Sequence, residues 1–259
     1  MYTAPQKRFS TKPIAQIKDE LEKLARVYPN ARRVFLADGD AMVLSTRRLL
    51  EILTTIKAFY PNLNRVSSYC LPRNVKSKSV EELSELKSAG LSLVYVGAES
   101  GDDELLGIIN KGETYGSTAS ALTKMHAAGM KSSVMILNGL GGKEYSEQHA
   151  MNSARLVNET QPHYLATLVV SFPLGEKRFR SHFPNGFTLL EQSGLFKEME
   201  VFISNTQLHN TIFRSDHASN YLALKGVLGK DKERMLELLQ LAQNAHEELS
   251  LRQEWERGL

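Results

Sequence analysis

Apolar residues along the chain fall alternately at helical and at strand-like spacing. Behind Pro13, the residues Ile14, Ile17, Leu21, Leu24 and Val27 predict a first helix with one apolar face, stopped at Pro29-Asn30. Arg33 to Ala37 reads as a short strand running into a polar turn, Asp38-Gly39-Asp40. Ser45 is placed to cap a helix carrying Leu49, Leu50, Leu53 and Ile56, which ends near Pro61.

The cycle then repeats. Arg65 to Leu71 is strand-like, and Ser79-Val80-Glu81-Glu82 opens a helix with a capping box that ends at Gly90. Leu91 to Ala98 predicts a buried strand, Asp102 to Asn110 a short acidic-started helix, and Thr114 to Gly129 a longer one. Lys131 to Leu137 is a further strand leading into Asn138-Gly139-Leu140-Gly141-Gly142, followed by a helix over Tyr145 to Thr160 and a strand over Tyr164 to Ser171. Five strand segments alternating with helices between residues 33 and 171 favour parallel βαβ units with right-handed crossovers. Their apolar character implies burial on both faces. Barrel and doubly wound sheet both remain open on this pattern. The first strand has no G-x-G-x-x-G after it, which weighs against a dinucleotide-binding fold.

After residue 173 the rhythm breaks. Leu174 to Phe187 reads as a basic loop, Thr188 to Ile203 as a helix with an internal Gly194, and Asp231 to about Trp255 as a long amphipathic helix carrying Met235, Leu238, Leu239 and Ala242. This divides the chain into a core over residues 1–173 and an extension over 174–259 packed on the same domain.

Composition narrows the classes. The 259 residues carry 32 basic and 29 acidic side chains, a balance that does not indicate nucleic acid, and 42% are apolar, which argues against disorder. No apolar run approaches the roughly 18 residues of a membrane span, and the first ten residues lack the apolar stretch of a secretory signal. A single Cys excludes an internal disulfide framework and favours a reducing, cytoplasmic setting. It also excludes a metal site built on several thiolates of these residues.

In parallel α/β folds, ligands gather at the carboxyl ends of the strands. Standing there are Asp38-Gly39-Asp40, Glu99-Ser100-Gly101, Asn138 to Gly142, and Ser171-Phe172-Pro173. The two aspartates suit an ammonium or a metal, or simply a solvated capping turn. Glu99 directly follows an apolar run and faces either a pocket or a neighbouring base. Lys111 closes a short helix, where a cation serves the helix dipole or an anionic ligand. Gly141 and Gly142 permit close backbone approach, or form an ordinary loop. The seven His residues give no metal signature: His209 and His217 lack a local third ligand, and His126 and His149 fall within helices. Cys70, on the second strand, reads as a small core residue.

Taken together, these segments resemble the radical S-adenosylmethionine superfamily. Val96 to Gly112, reading V-G-A-E-S-G-D-D-E-L-L-G-I-I-N-K-G, resembles that superfamily's G-x-E-S-G-x-(D/E)-x-x-L-x-x-(I/M)-N-(K/R)-G. Phe35 to Met42 stands where its Gly-Gly-Glu-Pro-like motif belongs, and Ser215 to Lys232 resembles a tail found in some members. The likeness is strongest over residues 33–142. It implies a partial (β/α) barrel lacking its first strand, with a helical C-terminal extension and S-adenosylmethionine across the strand ends. By position, it assigns Asp40, with Asp38 and Gly39 shaping the turn, to the methionyl amino group. Glu99 and Ser100 fall near the ribose and methionyl portions, Lys111 near the methionyl carboxylate, and Asn138 and Gly139 beside the adenosine.

One departure is severe. The superfamily holds a 4Fe–4S cluster on three cysteines, usually C-x3-C-x2-C, and this sequence has only Cys70. In related proteins the cysteine loop leads into residues resembling Met1-Tyr2-Thr3 and Gln6-Lys7-Arg8-Phe9, so Met1 is expected to be an internal methionine of a longer protein. The expected activity is a 5′-deoxyadenosyl radical generator in complete form, inactive as these residues alone, acting on an unidentified substrate. The alternatives are a degenerate barrel acting as a ligand-binding or interaction module, and a (β/α)8 lyase using Glu99 and a Lys. The segment Lys177-Arg178-Phe179-Arg180 suits an anionic substrate or a solvated loop.

Overall fold

The computed structural model describes residues 10–172, 175–244 and 249–257. Met1-Tyr2-Thr3 and Gln6 to Phe9, like Pro173 and Leu174, lie outside the described residues. Among the described residues, seven strands form one sheet in sequence order: β1 (Arg33–Leu36), β2 (Arg65–Tyr69), β3 (Leu91–Glu99), β4 (Lys131–Asn138), β5 (Tyr164–Val169), β6 (Thr211–Ser215) and β7 (Leu224–Leu228). β1 to β6 are parallel, and β7 returns antiparallel to β6. The helices are α1 (Ile14–Val27), α2 (Thr46–Phe59), α3 (Arg73–Lys76), α4 (Val80–Ser88), α5 (Asp103–Ile108), α6 (Tyr115–Ala127), α7 (Gly142–Thr160), α8 (Lys177–Arg180), α9 (Gln192–Ser204) and α10 (Lys232–Asn244).

Strict sequence order, with no reversal, resolves the choice between barrel and doubly wound sheet. Right-handed crossovers between consecutive parallel neighbours put every crossover helix on the same face. The result is an open, barrel-like α/β sheet whose outer strands, β1 and β7, do not meet. Local signals behave as their chemistry dictates: Ser45 caps α2, and Ser79 with Glu82 and Thr114 with Ser117 form the capping boxes of α4 and α6.

Burial on both faces is corrected. In β4 and β5, buried residues alternate with half-exposed ones, so only one face lies under helices. Val66, Val94, Val96, Val134, Ile136, Leu165 and Phe213 point to the helices and form the main core with Leu49, Leu53, Leu83, Leu122 and Met199. The other face carries Phe35, Tyr69 and Tyr95, whose rings meet edge-on or tilted while Phe35 and Tyr69 stay exposed.

The C-terminal third also differs from expectation. The sheet does not stop near residue 173, because β6 adds a sixth parallel strand beside β5. The long helix expected to reach about Trp255 is helical over Lys232–Asn244, and residues 249–253 are not helical. Leu249 and Leu251 both pack on the main core two positions apart, an extended spacing. Arg252 fixes that path by donating to the carbonyls of Asp216, His217 and Asn220. The expected loop over Leu174 to Phe187 contains the short α8, and α9 begins at Gln192 rather than Thr188.

Candidate functional site

The carboxyl ends of the parallel strands and the loops that follow them make one rim. β3 ends there in a bulge: Gly97 pairs with Met135 and Glu99 with Ile136, which leaves Ala98 as the extra residue. Glu99 sits at φ +63°, and its carboxylate folds back over Gly97, where an added Cβ would lie 2.5 Å from Oε1. Only glycine leaves that space open.

Lys111 is delivered by the way α5 stops. The Lys111 N–H donates to Leu106 O at 3.0 Å and the Asn110 N–H to Gly107 O at 3.1 Å, with Asn110 at φ +51°. This is the two-bond Schellman stop, with Asn in the left-handed position usually held by Gly. The reversal turns Lys111 back toward β3, and its Nζ donates to Glu99 Oε1 at 2.8 Å. The two side chains are only 11% and 7% exposed. Glu99 Oε2 is buried without a hydrogen-bond partner, and the bond to Glu99 is the only one that Lys111 Nζ makes among the described residues. A carboxylate oxygen buried bare is costly, and an incoming donor removes that cost.

Asp40 occupies the neighbouring strand end. Its Oδ1 accepts the Met42 N–H at 2.8 Å, while Oδ2 accepts the Leu71 N–H at 2.5 Å and Asn74 Nδ2 at 2.7 Å. It therefore ties the β1 loop to the β2 loop and keeps capacity for one further donor on Oδ1. Asp38, at φ +61°, and Gly39, at φ +145°, form an exposed turn beside it. Arg73, adjacent to Asn74, donates from Nε to Glu113 Oε1 at 2.7 Å and from Nη2 to Lys111 O at 3.2 Å. A line of polar contacts thus links Asp40, the β2 loop, Lys111 and Glu99 along one rim.

Ser100, by contrast, turns inward. His149 Nε2 lies 3.0 Å from Leu137 O, which can only accept, so Nε2 carries the ring hydrogen. Nδ1 is then the acceptor for the Ser100 hydroxyl at 2.7 Å, and Ser100 Oγ accepts the Asp102 N–H at 3.0 Å. The hydroxyl is fully buried and engaged on both sides. Asn138 and Gly139 begin the β4 loop. Asn138 Nδ2 donates to Leu195 O at 3.2 Å, leaving Oδ1 buried and unpartnered. Gly139 is at φ +82°, packed so closely on Leu195 that a Cβ would lie 2.8 Å from Cδ2. Its N–H donates to Glu198 Oε1 at 2.6 Å.

Glu198 escaped the sequence reading, and His149 entered it only as a helix residue outside any metal signature. Glu198 is buried, its Oε2 accepts the Ser146 hydroxyl at 2.7 Å, and its Oε1 lies 3.9 Å from His149 Nε2. Burial pushes its carboxyl up, against the opposing pull of His149, the Gly139 N–H and Ser146. A signal was present: Glu198 interrupts the apolar stripe of Leu195, Met199 and Phe202 on α9, and a charge there needs partners.

Over the β4 loop, Phe179, Phe183 and Phe187 pack with Phe172, Leu105, Leu140 and Tyr145 in a second apolar cluster. Phe179 of the basic segment points into this cluster, and Arg180 pairs with Glu176. Beside Gly139 lies a cavity of about 280 Å³ bounded by Val169, Val170, Leu195, Tyr221 and Arg257. A second, of about 360 Å³, reaches Asp38–Asp40 from the unpaired side of β1. Cys70 is buried beyond β2, and its thiol is pushed well up by burial and by Asp40. Among the described residues, no group of three or more His, Cys, Asp or Glu gathers as metal ligands. Nor, among them, is any helix long and apolar enough to cross a membrane.

Comparison with known proteins gives the family. Residues 2–157, more than half of the chain, match the Radical SAM superfamily. Against curated proteins the sequence has no match. Among solved structures, the chain is similar to Elp3 from the archaeon Methanocaldococcus infernus, with 14% identity and a TM-score of 0.57 over 88% of this chain and 59% of that one. It is also similar to coproporphyrinogen III oxidase from Escherichia coli, a radical SAM enzyme, with 12% identity and a TM-score of 0.58 over 74% of this chain and 44% of that one. A methylornithine synthase aligns over 92% of this chain at 13% identity and a TM-score of 0.51, covering 74% of its own length. The chain thus spans less than two thirds of the first two proteins, and likeness at these identities carries the fold alone.

Proposed function

Because the chain belongs to the radical SAM superfamily, we propose that its rim binds S-adenosylmethionine, with Lys111 and Glu99 as the central pair of the site. A cation with spare donors suits the methionyl carboxylate, and a bare carboxylate oxygen suits a ribose hydroxyl or the methionyl ammonium. The observation that carries this reading is Glu99 Oε2, buried without a partner beside a lysine that makes one side-chain bond. Asp40 lies on the same rim with capacity left on Oδ1 for the ammonium, and the exposed Asp38-Gly39 turn shapes that end. Gly139 borders the cavity of about 280 Å³ that suits the adenosine end, Asn138 Oδ1 is a second orphaned acceptor, and Ser100 supports the turn from within.

In complete superfamily members, S-adenosylmethionine with a reduced 4Fe–4S cluster supplies a 5′-deoxyadenosyl radical. The residues here fit the nucleoside but not the cluster. Cluster iron takes thiolates, and the one cysteine of these 259 residues is a buried thiol held protonated. No redox step is therefore assigned to this chain. Its own contribution is to bind and orient: Lys111 fixes the amino-acid end, Glu99 stands between that end and the ribose, and the closely packed 138–142 loop borders the other. Anaerobic reconstitution of the 259 residues with iron and sulfide is expected to leave them without a stoichiometric 4Fe–4S absorbance. The decisive experiment is calorimetric titration with S-adenosylmethionine, using Glu99→Gln and Lys111→Ala as controls. Saturable one-to-one binding weakened by both variants supports the reading, and no binding, or binding indifferent to both, removes it.

A further inference from the structure

Two turns stand beside the proposed ligand, the one at 100–102 directly after Glu99 and the loop at 138–142, and both are held from behind by a single set of polar groups, most of them buried. From α7, His149 accepts from the Ser100 hydroxyl and donates to Leu137 O, while Ser153 Oγ accepts the Gly101 N–H at 2.9 Å. From α9, Glu198 accepts the Gly139 N–H and the Ser146 hydroxyl. Ser146, His149 and Ser153 share one polar stripe of α7 at helical spacing, and His149 and Glu198 approach within 3.9 Å. Ser100, His149, Ser153 and Glu198 are buried, so solvent does not substitute for the bonds among them, while Ser146 is partly exposed.

We propose that Glu198 and His149 are positioning residues that brace the 100–102 turn against the 138–142 loop and so set affinity for the nucleoside half of the ligand rather than its amino-acid half. The asymmetry follows from attachment. Lys111 is fixed by the end of α5, and Glu99 by the bulge of β3 and by Gly97, none of which hangs on α9. The Gly139 amide, which orients the loop, is held by Glu198 directly. This inference rests on the reading that the rim takes S-adenosylmethionine.

The test uses the 259-residue chain with three probes, S-adenosylmethionine, 5′-methylthioadenosine and methionine, together with hydrogen exchange in the absence of ligand. Glu198→Ala is expected to weaken 5′-methylthioadenosine about tenfold, the scale of one lost hydrogen bond to a charged group, and to leave methionine within about twofold. Glu198→Gln keeps an acceptor for Gly139 and a partner for Ser146, and is expected to restore nucleoside binding. Ser100→Ala, a smaller change at the far end of the brace, is expected to repeat the nucleoside-selective loss. Without ligand, Glu198→Ala is expected to speed amide exchange at both 100–102 and 139–142 relative to β3 and β4. Equal loss for both halves, no rescue by Gln, or faster exchange confined to 139–142 overturns the brace. A wild-type chain that binds none of the probes overturns the ligand reading instead, and the two-segment exchange result then decides the brace alone.

Discussion

Glu99 and Glu198 are both buried carboxylates within one strand-end region, and their surroundings are opposite. Glu198 has each oxygen covered by a fixed donor, the Gly139 N–H on one side and the Ser146 hydroxyl on the other. Glu99 has one oxygen on Lys111 and the other on nothing. Completed networks rigidify a fold, whereas a buried acceptor left open costs stability unless something from outside completes it. The same residue type thus marks support in one place and a binding surface in the other, and partner count rather than burial separates them.

That contrast is broken most directly through stability. Glu198→Ala strips the buried Gly139 amide and the partly exposed Ser146 hydroxyl of their acceptor, and is expected to lower unfolding stability by about 3 kcal/mol. Replacing both partners of the other pair, Glu99→Gln with Lys111→Met, leaves no buried charge unpaired and is expected to change stability by less than about 1 kcal/mol. Urea unfolding of the two variants measures both, and equal losses would erase the distinction. Binding reverses the ranking at the rim: Lys111→Ala is expected to reduce S-adenosylmethionine affinity about thirtyfold, roughly 2 kcal/mol, by calorimetric titration. Ser100→Ala leaves His149 Nδ1 without its donor and the Asp102 N–H without its acceptor, and is expected to cost about 1.5 kcal/mol of stability. A Ser100 that contacted the ligand alone would cost almost nothing in its absence.

What could be read from the sequence followed the range of the interactions. Glu99 and Lys111 lie twelve residues apart on one strand, one short helix and one capped stop, so the motif carries most of its own geometry. The five strands up to Val169 announced themselves through apolar runs and helix caps. β6 and β7 did not. Each has five residues, β7 contains Gly226, and their identity depends on pairing with each other and with β5. Ser100 shows the same limit at the site. Its position at a strand end pointed it toward a ligand, but the direction of its hydroxyl is set by His149, forty-nine residues on. The open face of the sheet was likewise hidden, because Phe35, Tyr69 and Tyr95 look apolar in sequence whether covered or not.

The smallest effect, and a control on the rest, lies at the opposite ends of the strands. His126 donates to or accepts from Ser132 Oγ at 2.7 Å, and its ring meets His163 edge-on at 5.1 Å. Burial and then the neighbouring His163 hold His126 below its usual range, and burial and then Lys131 do the same to His163. With folded values lowered, the folded state binds fewer protons than the unfolded chain, so this contribution is intact above about pH 6.5 and is lost as pH falls below it. Glu198 has the opposite sign. Its folded value is raised by burial, so its contribution is present below the unfolded carboxyl value, near 4.3, and is lost as pH rises through the folded one. Melting temperatures followed from pH 7.5 down to 5.5 are expected to fall less steeply in His163→Gln than in the wild type. The same change is expected to leave nucleoside affinity untouched, because neither His126 nor His163 contacts the brace; a loss of affinity in His163→Gln would show that the rim responds to stability in general rather than to Glu198 and His149.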